Sequence, residues 1–461
     1  MMIRAGIRFA AAIAALSLPG CGDAAREPDL ILISVDTLRA DRLPYYGAAR
    51  DTGGDPAQDF TPSWLAAHGT VHDACWASAG QTLPSLGSFW TGRPPLEHGA
   101  TSNLDPVILP TRLVSLKGTR FDSAHALLAN QSLGAGCGLQ AGFDNYGLLF
   151  KHNEKRIPAE MLRLTQPDVS GGKRLLVWAH FMAPHQPYAP DPALADRYGP
   201  GALAAAENEF LYGLHRAGSM DAATRAALER LYDAEVRTAS GYVQELLSGL
   251  DRQYRDAGRG GLLENAIVVF FSDHGEALGD HFGYSLHAKS LYSGVIRVPL
   301  VVAGPGWKAA RSAQPVALSE VLSLVLDGRK PQSRYFHSAW RAEFYAVRDA
   351  RWTLVHNPTN NRMGPREPPE DAPFPYPLLA LYDRSSDPRE LHDVAAQYPD
   401  EARRLLRELG RWYASLLIAS AGASQDPDTQ TLSALGYSTA VTTDRSAPLA
   451  ADSWEPSTPP R

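Results

Sequence analysis

Apolar residues gather along this chain in short unbroken runs. Asp29–Asp36 reads Asp-Leu-Ile-Leu-Ile-Ser-Val-Asp, Leu175–Phe181 reads Leu-Leu-Val-Trp-Ala-His-Phe, and Ala266–Ser272 leads directly into Asp273-His274-Gly275. Runs of this length, rich in β-branched residues and without polar alternation, mark strands buried on both faces, as in a parallel sheet. Arg297–Ala303, closed by Gly304-Pro305-Gly306, reads as a fourth strand on the same plan. From about Asp221 to Leu250 the period changes. Leu228, Leu231, Val236, Val243, Leu246 and Leu250 recur every three to four residues, as on a helix with one buried stripe. Strands alternating with helices predict an α/β fold, a mostly parallel central sheet flanked by helices.

The texture changes past Gly306. Phe344–Arg348 and Trp352–His356 form a strand pair around Asp349-Ala-Arg, a Pro-rich loop covers Met363–Pro377, and a helix is expected from Tyr398 to about Ile418. This predicts a main domain over 29–310 and a smaller C-terminal α+β subdomain over 311–420. The Ser-, Thr-, Asp- and Pro-rich remainder, 421–461, is expected to be disordered.

Arg4 and Arg8 precede the apolar run Phe9–Leu16, and Leu18-Pro19-Gly20-Cys21 follows. Residues 1–20 therefore read as a bacterial secretion signal, whose apolar run is too short to span a bilayer comfortably. The pattern resembles a lipobox with Cys21 as the lipidated residue and 21–28 as a polar linker. That gives an exported, periplasmic protein whose contact with the membrane is a lipid anchor. A net charge of −6 and the lack of a basic run argue against nucleic acid as a partner. Cys75 and Cys137 are then the remaining cysteines, either paired or two buried thiols.

In open parallel sheets, ligands bind outside the carboxyl ends of the strands. Asp36, His180 and Asp273-His274 each stand at such an end. Asp36, Asp273 and His274 together form an oxygen-and-nitrogen set suited to one divalent ion, with calcium, magnesium, manganese and zinc all compatible. Gln81-Thr82-Leu-Pro84 reads as a loop entering a helix that Gly92 stops, with the Thr82 hydroxyl just ahead of the helix N-terminus. Thr82 is there as a nucleophile or, more plainly, as a cap. Histidines in His180-Phe-Met-Ala-Pro-His185 and His287-Ala-Lys289 are candidates for general acid work.

Several stretches together resemble the sulfatases of the alkaline phosphatase superfamily. They are Ile33–Asp41, Thr82–Ser85 with Thr91-Gly92-Arg93, Ala183–Pro187, Ser272–Glu276 and Leu291-Tyr292 with Arg297–Leu300, in the family's order. Leu381–Asp383 resembles part of the family's C-terminal subdomain, and Leu432–Tyr437 a tail element of one bacterial branch. The resemblance implies an alkaline-phosphatase-like fold over 29–310 and one divalent metal ion on Asp36, Asp273 and His274, with Thr82 beside it as both ligand and nucleophile. It also implies His185 near the ester, His287 as leaving-group acid, Lys289 on the anion, and Arg39 with Asp41 as structural residues. The substrate implied is a small-molecule, glycan or lipid ester of phosphate or sulfate.

The departures from the family matter as much. Family sulfatases oxidise a Cys or Ser to formylglycine at the position of Thr82, and threonine cannot become that aldehyde. Leu86 replaces the motif's Arg, Thr37 replaces the second acid of an Asp-Asp pair, and Leu127–Asn130 has no Lys. A formylglycine hydrate expels sulfate by breaking its own C–O bond, whereas a threonine ester must be cleaved at the central atom. That favours phosphorus over sulfur. The same losses support a rival expectation, a degenerate sulfatase-like shell that binds an anionic glycan or lipid head group.

Overall fold

The computed structural model describes residues 26–199, 203–217, 220–281, 283–341, 343–358 and 377–423. The signal segment, Cys21, most of the Pro-rich loop and the tail motif Leu432–Tyr437 lie outside the described residues. No helix among the described residues is long and apolar enough to cross a membrane.

Twelve strands carry the argument: β1 (Asp29–Val35), β2 (Thr70–His72), β3 (Ser123–Leu128), β4 (Asn145–Leu148), β5 (Leu175–Phe181), β6 (Ala266–Ser272), β7 (Leu300–Ala303), β8 (Ala310–Ser312) and the later β9 (Phe336–Trp340), β10 (Phe344–Arg348), β11 (Trp352–His356) and β12 (Leu379–Asp383). The first eight form one sheet in the order β8-β2-β7-β6-β1-β5-β3-β4. β1 lies between β5 and β6, parallel to both, and all seven of its residues are buried. The continuous apolar runs are therefore central strands, as their lack of alternation requires.

The fourth run behaves differently. Pro299 splits it, so that Arg297–Val298 joins a small separate sheet with Cys75–Trp76 while β7 runs antiparallel to β6. The connection from β6 to β7 never crosses the sheet in a long helix, so the chain re-enters at the edge it left and must run back. The large sheet also continues through β8, past residue 310.

Three helices hold this sheet in place. α1 (Thr82–Thr91) lies on its face: Phe89 stacks on Phe271 of β6 at 4.6 Å, and Trp90 meets Trp178 of β5 edge-on at 5.2 Å. α2 (Ile157–Ser170) packs against the long α3 (Ala222–Asp256), whose N-cap Asp221 accepts from the Thr224 N–H at 2.7 Å. α3 runs one and a half turns beyond the predicted Leu250 and grips both ends of β1. Tyr254 donates to Asp29 at 2.5 Å, while the Tyr232 hydroxyl donates to the Thr37 carbonyl (2.7 Å) and accepts from the Arg39 N–H (2.9 Å).

β9 to β12 form the expected smaller antiparallel sheet, backed by α4 (Pro399–Ala423), which extends past the predicted Ile418. It is tied to the large layer by Arg348, whose guanidinium donates to the Leu291 carbonyl, and by Glu390, which accepts from the Ser293 N–H at 2.7 Å. Tyr292 and Tyr382 add a hydroxyl pair at 3.2 Å.

Arg39 is the structural residue the motif implied. Its buried guanidinium pairs with Asp41 (2.7 Å) and Asp280 (2.5 Å) and donates to the Glu276 carbonyl at 2.9 Å. Replacing Arg39 by Met strands the buried Asp280 with fewer partners. The expected loss is about 3 kcal/mol in urea unfolding, against less than about 0.5 for the exposed Arg163→Ala.

His72 offers a second test. It is buried, its two ring nitrogens have no hydrogen-bond partner among the described residues, and burial lowers its pKa from 6.5 to about 4. The unfolded chain takes up the proton first, so stability falls as pH drops from about 6.5 to about 4. His72→Leu should flatten the pH dependence of unfolding in that window by one proton, about 1.4 kcal/mol per pH unit.

Candidate active site

Because β1, β5, β6 and β3 are parallel, their carboxyl ends open on one edge, and the residues that follow them meet there. They are Asp36 after β1, His180 near the end of β5, Asp273-His274 after β6 and Asn130 after β3. Gly275 makes the turn after β6 feasible, since a Cβ at this position would lie 2.2 Å from the Gly294 carbonyl oxygen. Ser272 then laces two of the strand ends together, accepting from the Leu38 N–H (3.1 Å) and donating to the His274 carbonyl (2.6 Å).

Asp36, Asp273 and His274 are fully buried, with one ligand atom each lying within 4.8 Å of the others. His274 commits Nδ1 to the Gly275 carbonyl at 3.0 Å, so Nε2 presents its lone pair inward, 3.5 Å from Asp273 Oδ2 and 3.8 Å from Asp36 Oδ1. Asp36 Oδ1 and Asp273 Oδ2 have no hydrogen-bond partner among the described residues. Two carboxylate oxygens unpartnered among the described residues and an unprotonated imidazole nitrogen in a buried site fit a divalent cation. Burial and the neighbouring Asp36 charge push the Asp273 carboxyl well up. Burial also opposes ionisation of Asp36, but the His180 hydrogen bond and the surrounding imidazoles outweigh it and hold Asp36 low. Thr37, at the place of a second acid, is left-handed (φ 54°), with a buried hydroxyl unpartnered among the described residues.

His180 supports Asp36 from behind. Trp178 Nε1 donates to Ser34 Oγ (2.9 Å), which leaves the Ser34 hydrogen for His180 Nδ1 (2.8 Å) and turns His180 Nε2–H toward Asp36 Oδ2 (3.3 Å). The tautomer follows from the direction of this chain of bonds.

Thr82 is the first residue of α1. Gln81 is the N-cap and makes no side-chain cap, so the Thr82 hydroxyl is not spent on the helix. It donates to Asp36 Oδ2 at 3.3 Å, lies 3.4 Å from His274 Nε2 and accepts from Asn130 Nδ2 at 3.0 Å. Asn130 Nδ2 also reaches Asp36 Oδ2 at 2.6 Å, and its Oδ1 is held by the Ser132 N–H. The helix terminus offers fewer donors than its sequence promised, since Asn103 takes the Leu83 N–H (2.9 Å) and Pro84 has none.

The remaining imidazoles form the other wall. The ring of His287 lies 4.7 Å from that of His274 and 4.9 Å from that of His185, centre to centre. His185 directs Nδ1 to the Gln186 carbonyl (2.6 Å), and Lys151 fixes its loop by donating to the carbonyls of His185 and Pro187. Burial lowers the pKa of His185 to about 4 and that of His287 to about 3, His274 adding to the latter.

The site thus unites Asp36, Asp273, His274, Thr82, His185 and His287. The Lys289 ammonium lies 5.0 Å from the centre of the Trp340 ring. Cys75 and Cys137 are separate buried thiols. Sequence reasoning passed over Asn130, although it follows an apolar strand just as Asp36 does; that position should have marked it.

Residues 149–327 match the family model described as Sulfatase. Arylsulfatase K of Danio rerio is 26% identical over 216 residues, covering 40% of this chain and 37% of that protein, so the match spans little more than a third of the relative. BT4656, solved with its substrate D-glucosamine-2-N,6-O-disulfate, superposes with a TM-score of 0.60 at 16% identity, over 84% of this chain and 98% of its own. Phosphonate monoester hydrolase of Agrobacterium radiobacter does so with a TM-score of 0.58 at 17% identity, over 85% and 96%. Residues 149–327 thus resemble the sulfatase family, and the described fold is that of the solved sulfatase and phosphonate monoester hydrolase.

Proposed function

We propose that this protein is an exported ester hydrolase or transferase that acts through Thr82, without formylglycine, on phosphate esters in preference to sulfate esters of a small molecule, glycan or lipid. The observation that carries the reading is the Thr82 hydroxyl, free of any capping role and hydrogen-bonded to Asp36 and Asn130 beside His274. The likeness of the fold to both a sulfatase and a phosphonate monoester hydrolase is compatible with either central atom.

Asp36, Asp273 and His274 would hold one divalent ion, which lowers the pKa of a neighbouring hydroxyl and offsets charge on a bound ester anion. Thr82 Oγ forms the new bond to phosphorus as the bond to the leaving oxygen breaks, the electron pair going to that oxygen. Thr82 attacks as the alkoxide, its proton having passed to solvent, and His287, held as the imidazolium by the bound ester anion, gives its Nε2 proton to the leaving oxygen with His185 beside it. The Asn130 amide stands where it can donate to an ester oxygen as charge develops. Water or an acceptor alcohol then attacks phosphorus in the Thr82 ester, returns its proton to the imidazole and frees Thr82.

Thr82→Ala should lower kcat at least about a thousand-fold on an aryl phosphate, and acid quenching of the wild-type reaction should leave phosphate on the Thr82 peptide. Full turnover by the variant overturns the assignment. Stripping divalent ions should abolish activity and lower the melting temperature; readdition restores both, and saturation at 100 times Kd contributes about 2.7 kcal/mol. A protein that binds no ion and turns over neither aryl phosphates, diesters, phosphonates nor sulfates would instead be the degenerate binding shell.

A further inference from the structure

Behind His287 lies a carboxylate that the reaction above does not use. Glu276 is fully buried in the turn that follows the metal-type residues. Its Oε1 is 3.2 Å from His287 Nδ1, and its Oε2 accepts from the Tyr188 hydroxyl at 3.1 Å. Arg39 clamps the Glu276 carbonyl at 2.9 Å. Glu276 therefore joins three segments: the β6 turn, the loop of His185 through Tyr188, and the segment of His287.

We infer that Glu276 is the positioning residue for His287. The leaving-group role proposed for His287 is the premise. An imidazole can rotate about its χ angles and exchange tautomers, and only one arrangement keeps Nδ1 on Glu276 and leaves Nε2 free beside the His274 ring. Anchoring Nδ1 to Glu276 selects it, as a third group orients the base in a nucleophile–base pair. The Tyr188 bond holds the second carboxylate oxygen, so the carboxylate plane is fixed before substrate enters. Glu276 acts through the imidazole and does not itself touch the ester.

The test uses the full chain loaded with divalent ion and two phosphate monoesters, a nitrophenyl ester whose leaving group needs no proton and a simple alkyl ester that does. Glu276→Ala should lose about 30-fold or more in kcat on the alkyl ester and less than about 3-fold on the nitrophenyl ester. Glu276→Gln, whose amide oxygen still accepts from Nδ1–H, should recover most of the alkyl-ester rate. Nitrogen-15 spectra should show His287 protonated at Nδ1 in wild type and Glu276→Gln, and exchanging between tautomers in Glu276→Ala. Equal losses on both esters, or an unchanged His287 spectrum in Glu276→Ala, overturn the inference. Should Glu276→Ala not fold, Tyr188→Phe takes its place with the same pattern at smaller amplitude, and equal losses again overturn it. His287→Ala separates the premise: if it loses no more on the alkyl ester than on the nitrophenyl ester, the leaving-group role fails, while the spectra still decide what Glu276 does.

Discussion

Two carboxylates, Asp36 and Asp273, are buried side by side at the end of the central strands, each with one oxygen that no described group satisfies. Placing such charges out of water is costly unless they are compensated, and the surrounding structure reads as an answer to that cost. His180, relayed from Trp178 through Ser34, donates to one carboxylate. The His274 N–H holds the other, while the His274 ring is turned by the Gly275 carbonyl so that a lone pair, not a proton, joins them. Asn130 adds an amide donor. The same demand explains the position of Thr82: a hydroxyl beside this cluster is held in an electrostatic environment that no ordinary helix cap experiences.

Holding that geometry falls to elements remote from it. α3 pins β1 at both ends through Tyr232 and Tyr254, and Arg39 joins the β1 loop to the β6 turn. The aromatic contacts of Phe89 and Trp90 fix the height of α1 above the sheet, and with it the reach of the Thr82 hydroxyl. Rigid strands and helices, more than loops, carry the groups that must stay within hydrogen-bond distance.

Much of this was legible in the sequence, for stated reasons. The unalternating runs at β1, β5 and β6 could only be central strands, and their polar ends had to share an edge once the strands were parallel. The direction of β7 was not legible, because four apolar residues look the same whichever way they run; its reversal depends on where the preceding loop re-enters. The setting of the Thr82 hydroxyl was undecidable locally, since its partners Asn130 and Asp36 stand 48 and 46 residues away in the chain. The Lys289 ammonium over the Trp340 ring was likewise beyond local pattern, since the two residues belong to different layers. The roles of Asn130 and Glu276 depend on pairings across strands and loops that no local pattern encodes.

The ties between the small sheet and the segment 291–293 have a counterpart on the other side of the site. Arg348, Tyr382 and Glu390 grip the backbone and side chains just after His287, while the Ser338 hydroxyl and the Ala339 N–H hold the carbonyls of Ala77 and Ser78 just ahead of Thr82. One C-terminal layer thus buttresses both segments, so a substitution that shifts it moves the His287 and Thr82 segments together, relative to the strand ends that carry Asp36 and Asp273.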